Sequence, residues 1–136
     1  MKIVKLTTVT ILLVSSIFAN EVAKKPSNLS SDMRSMLTAM EHIQRSGFYQ
    51  DYDGMIVGVE QLKKGLKSLS EADPRSYLPD EQLYANKFAE KREKMLFMYA
   101  NDLAENAANK NMDLALEDYT QLMNQCTSCH IRLRTW

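Results

Sequence analysis

Two cysteines, two histidines, four glycines, three prolines and one tryptophan are all that 136 residues hold of these types. With Cys126 and Cys129 as the only thiols, a framework of several disulfides is excluded even for an exported chain, and the pair must serve one local purpose. His42 and His130 are the only imidazoles, which leaves a zinc site short of ligands at useful spacing. Net charge is missing too: 17 basic residues balance 17 acidic ones, and nothing marks a surface for nucleic acid. No stretch alternates with period two, and there are no internal repeats or low-complexity tracts, so strands are not expected. At 45% hydrophobic and 25% charged residues, a chain of this length suits one globular domain and has no room for two independent cores.

What is present begins with a targeting pattern. Lys2 and Lys5 precede an apolar run from Ile11 to Phe18, and Ala19 precedes the polar pair Asn20-Glu21. Charged, apolar and small residues in that order predict a secretory signal peptide over residues 1–19, cleaved after Ala19. The run is short for a transmembrane anchor, the alternative reading, so no integral membrane segment is expected after cleavage. Without Lys2 and Lys5, 15 basic residues face 17 acidic ones, a formal charge of −2. Residues 20–28, with Lys24, Lys25 and Pro26, have no periodicity and read as a flexible leader.

From Leu29 onward the only persistent period is near 3.6. Met33, Met36, Leu37, Met40 and Ile43 mark a first helix that Gly47 ends, and Met55, Val59, Leu62, Leu66 and Leu69 mark a second after the turn-rich stretch 47–54. Gly54, Gly58 and Gly65 share a face of the second helix. Interior glycines cost roughly 1 kcal/mol each against alanine, so a close helix or subunit contact is one explanation and simple tolerance the other. Residues 70–79, with Pro74 and Pro79, form the longest connection. Asp80-Glu81 opens a third helix whose inner face carries Tyr84, Phe88, Met95, Tyr99 and Leu103 and which runs to about Ala108. After the turn 109–111 comes a fourth stripe of Met112, Ala115, Leu116, Tyr119, Leu122, Met123, Cys126, Cys129, His130 and Leu133. The expected fold over 29–136 is all-α, an antiparallel four-helix bundle.

Cys126-Thr127-Ser128-Cys129-His130 is the motif that carries chemistry. On a helix, residues three and four apart are neighbours, so Cys126 lies beside both Cys129 and His130. Two thiols so placed can each form a thioether with a vinyl group of one haem, while the imidazole reaches the iron. A redox Cys-x-x-Cys sits instead at a helix start after a strand, and no strand precedes this one. A structural disulfide or dithiol is the remaining alternative.

A Cys-x-x-Cys-His near the C-terminus of an all-helical exported chain resembles the class II c-type cytochromes, the cytochrome c′ family. The resemblance spans nearly the whole mature chain. Arg134 falls four residues after His130, where that family usually has a basic residue, and Leu133 replaces a frequent aromatic. The resemblance implies a bundle enclosing one covalent haem c, a periplasmic location, no catalysis of bond chemistry, redox partner proteins and a homodimer as one assembly state. It also divides the function by the residue that faces iron from the first helix. Methionine closes the site for electron transfer, whereas an apolar residue leaves five-coordinate iron open to nitric oxide or carbon monoxide.

Three methionines compete for that place. His130 lies near the end of the fourth helix, so its counterpart in an antiparallel bundle belongs near the start of the first, which favours Met33. Met36 is the second choice and Met40 reads as core filler. The stretch 28–33 also looks like the first helix of the soluble b-type bundle cytochromes, in which the methionine matching Met33 ligates iron. His42 points away from the methionine stripe. Arg34 and Arg134 are candidates for haem propionate contacts, since long cationic side chains pair with carboxylates at a cofactor's edge.

Overall fold

In the computed structural model, residues 28–73 and 85–133 are described. The expected signal segment, nearly all of the expected leader, Tyr84 and Arg134 lie outside them, as does the expected start of the third helix. Four helices pack against one another: α1 Leu29–Phe48, α2 Tyr52–Glu71, α3 Ala85–Ala108 and α4 Met112–Leu133. No strand occurs among the described residues.

Two tight turns make two helical hairpins, and the turns share one design. At the end of α1, Gln50 N–H donates to Gly47 O at 3.1 Å and Asp51 N–H to Ser46 O at 2.9 Å. At the end of α3, Lys110 N–H donates to Ala107 O and Asn111 N–H to Asn106 O, both at 2.9 Å. This pair of bonds is the Schellman arrangement, in which the residue after the helix cap turns left-handed. Gln50 and Lys110 do so, with φ of 54° and 57°. The next residue then caps the following helix. Asp51 accepts from Gly54 N–H at 2.9 Å, and Asn111 from Leu114 N–H at 3.2 Å. Asp51 explains why α2 starts at Tyr52, inside the stretch 47–54 expected as turn: the cap satisfies a free amide of the first helical turn there.

Both hairpins are antiparallel. Ser68, late in α2, donates to Asp32, early in α1, at 2.9 Å; Asn106, late in α3, donates to Asp118, early in α4, at 2.8 Å. α2 packs along α3 to join the hairpins, and α4 closes back on α1 only sparsely. Ile43, Met55, Val59, Leu62, Leu66, Leu103 and Leu122 form the fully shielded interior.

The glycine face of α2 serves the α1 contact. A Cβ on Gly58 would lie 2.6 Å from Ile43 Cγ1 and 3.3 Å from Ala39 O, so the two backbones approach where a side chain would not fit. That face is therefore occupied within the chain, which removes the glycines as support for a dimer contact.

Three expected core positions are corrected. Leu37 is 59% exposed, Leu116 40% and Met123 45%, because the seam between α1 and α4 closes little over them. On α3 the buried residues are Ala89, Leu96, Ala100, Leu103 and Ala107. Phe88, Met95 and Tyr99 are only half buried. The inner face is turned by about one residue because alanines, which carry little apolar area, occupy the tightest packing positions.

Candidate functional site

α4 carries the motif in its last turns, and Cys126, Cys129 and His130 are all half buried. Both cysteines are free thiols. Burial, and then the neighbouring Cys129, push the Cys126 thiol from 9.0 up to about 11. Burial also raises Cys129, while the positive charge of Arg92 works in the opposite direction. At neutral pH the pair is thus held as neutral sulfur, which suits packing: Cys126 lies against the apolar core.

The direction of each side chain follows from helix geometry. At 100° per residue and starting from the buried Leu122, Cys126 lies at about +40°, Cys129 at about −20° and His130 at about +80°. Leu116, at about +120° on the same count, is the α4 residue that leans on Gly47 of α1. Gln125 and Asp118, at about −60° and −40°, bond to Arg92 and Asn106 of α3. His130 is therefore on the side of α4 that faces α1, and Cys129 faces the bundle centre.

α1 answers with Met33. A Cβ on Gly47 would lie 3.1 Å from Leu116 Cδ2, which fixes the level at which the two antiparallel helices meet. Fourteen residues back from Gly47 is Met33, and fourteen residues on from Leu116 is His130; at 1.5 Å per residue both lie about 21 Å from that contact. Met33 is half buried and packs against the core. It sits at about +60° from Met36, on the flank away from Asp32 and Ala39, whose positions meet α2. Met36 is occupied elsewhere. Its Cγ and Sδ would lie 2.5 and 3.3 Å from a Cβ on Gly65 of α2. Met40 is buried in the core, and His42, half buried, lies about 180° round α1 from Met33.

The cations fall differently from expectation. Arg34 is exposed, on the outer face of α1, and donates to Ser30 Oγ at 3.5 Å. Arg92 of α3, not among the cations expected at the site, reaches into the α3–α4 seam. Its Nη1 donates to the buried Gln125, its Cζ stands 4.9 Å from the centre of the Phe88 ring, and its Nε is buried without a hydrogen-bond partner. Arg132 approaches the same ring at 5.4 Å. Phe88 and Arg92 are four residues apart, a signal that was present in the sequence.

The donor set can hold a haem. Two neutral thiols one turn apart, an imidazole next in sequence and a thioether at the same level of the facing helix match two thioether bonds and two axial ligands. The half-buried state of all four groups and the sparse α1–α4 closure fit an interior that a flat apolar group completes. Among the described residues, no three or more His, Cys, Asp or Glu side chains gather to hold a metal ion by themselves. No helix there is long and apolar enough to cross a membrane. No protein family, curated protein or solved structure matches this chain.

Proposed function

We propose that this chain is an exported, periplasmic c-type cytochrome that carries single electrons between redox partner proteins, a low-spin member of the class II type. The proposal is supported by the Cys126-to-His130 motif late in α4 and by Met33, which stands as many residues from the Gly47–Leu116 contact on α1 as His130 does on α4. Cys126 and Cys129 would attach the haem, and His130 and Met33 would hold its iron. Bound there, the haem supplies a one-electron couple. The rest is the work of the chain. His130, fixed to the helix that bears both thioethers, holds one orientation. Met33 offers a soft thioether, which favours the ferrous state and raises the reduction potential. The core residues Leu66, Leu96 and Leu122 exclude water from the inner edge, and no proton or bond is exchanged by the protein. Arg134 would pair with a propionate; Arg34, exposed on the outer face of α1, is turned away from the site.

The visible spectrum of the mature protein tests this. The expected result is a low-spin spectrum with the far-red band of methionine on ferric iron, converted to high-spin by Met33→Ala and left low-spin by Met36→Ala and Met40→Ala. A high-spin spectrum in the unaltered protein that shifts with carbon monoxide would replace the carrier with the five-coordinate gas-binding form. Absence of a Soret band would remove haem altogether.

A further inference from the structure

Arg92 is a cation with an unusual setting. Its guanidinium is gripped between α3 and α4 by the Gln125 side chain and the Phe88 ring, and one of its N–H groups is buried with no acceptor. An unsatisfied buried donor on a charged group is expensive, and a solvated lysine or arginine face would carry none of that cost. Gln125 is the residue before Cys126, and Arg92 acts electrostatically on Cys129, which precedes His130. The charge is thus built in behind the segment that would bear the haem.

We propose that Arg92 is a tuning residue: a half-buried positive charge, held in the α3–α4 seam, that disfavours the ferric state and so raises the reduction potential of the haem. This rests on the function proposed above. Oxidised iron carries one more positive charge than reduced iron, so a fixed cation nearby favours reduction by one electron with no proton involved. Water and salt screen a buried charge far less than an exposed one. The guanidinium of Arg92 stands over the Phe88 ring and donates to Gln125, two contacts that hold the head in the seam. Arg132, 5.4 Å from the centre of the same ring and exposed, is screened and contributes less.

Redox titration of the haem-loaded protein tests the proposal with three variants. Arg92→Met keeps the stem and removes the charge; the expected result is a fall of about tenfold in the reduction equilibrium constant, near 59 mV for a one-electron couple. Arg92→Lys keeps the charge and should stay within about twofold of the unaltered protein. Gln125→Glu sets a carboxylate against the guanidinium and should lower the potential in the same direction, which keeps the test alive if Arg92→Met fails to fold. An unchanged potential in whichever of Arg92→Met and Gln125→Glu folds, or an equal fall in Arg92→Lys, would overturn the role of Arg92 while the spectrum still reports a bound haem. A protein with no covalent haem fails earlier, at the proposed function, and takes the tuning role with it.

Discussion

At the end of the bundle where the two hairpin turns lie, Ile43, Met55, Leu103, Ala107 and Ala115 are completely shielded from solvent. At the other end Met33, Phe88, Arg92, Cys126, Cys129 and His130 are each only half buried. The first end is finished by its own side chains: two matched turns, two capped helices and an apolar filling. The second end gathers sulfur, imidazole and guanidinium, groups that need partners and that pack poorly against one another. A chain that folds one end to completion and leaves reactive groups at the other has separated stability from chemistry. The difference can be broken, or sharpened, by substitutions confined to one end.

The largest expected effect is at the closed end. Ile43→Ala removes a fully buried side chain that packs against the α2 backbone at Gly58, and should cost about 2–5 kcal/mol of unfolding free energy. Urea denaturation followed by circular dichroism measures it. The absorption spectrum of the loaded protein should not change, because Ile43 lies about three helical turns from the level of Met33. A spin-state change in this variant would show that the two ends are not independent.

At the reactive end the chain with free thiols should respond to alkali. Cys126 has a folded-state value of about 11 against an ordinary 9.0, so between those limits the unfolded chain has released a proton that the folded chain retains. Stability is therefore full below pH 9 and declines as the pH rises towards 11, by up to about 3 kcal/mol. Tyr119, raised by burial and then by Cys126 and Glu41, adds a loss in the same direction. Cys126→Ala should flatten the decline, leaving the part of the Tyr119 loss that comes from burial and Glu41. Equal slopes with and without the thiol would mean that Cys126 is not shielded by the fold.

Much of the closed end was legible in the sequence, because its signals are local. The apolar period located α1 from Leu29 and ended α3 at Ala108, and 109–111 is a turn as expected. What local signals missed was decided by tertiary geometry. Leu37, Leu116 and Met123 have core chemistry and helical spacing, yet they line a seam that closes only sparsely. On α3 the core runs through alanines, which a search for large apolar residues overlooks. At the site, spacing alone put Cys126, Cys129 and His130 on one helix, where all three are half buried, as Met33 is on α1. Arg92 left only its four-residue spacing from Phe88 as a signal, since a basic residue on an amphipathic helix ordinarily faces water and only the fold draws this one into a seam.

The smallest effect tests whether the closed end is as complete as it looks. Its turns follow the Schellman pattern, which glycine ordinarily serves, but here Gln50 and Lys110 hold the left-handed positions. A left-handed residue with a Cβ costs about 1–2 kcal/mol, and glycine escapes that cost while losing roughly 0.5–1 kcal/mol through the greater freedom of its unfolded chain. The terms oppose and the strain is the larger, so Gln50→Gly should stabilise the protein by about 0.5 kcal/mol. The midpoint of urea unfolding should rise slightly, with no change in absorption or potential. A destabilised variant would mean that the Gln50 side chain makes a contact worth more than the strain it imposes, and that the closed end still depends on a surface residue at its turn.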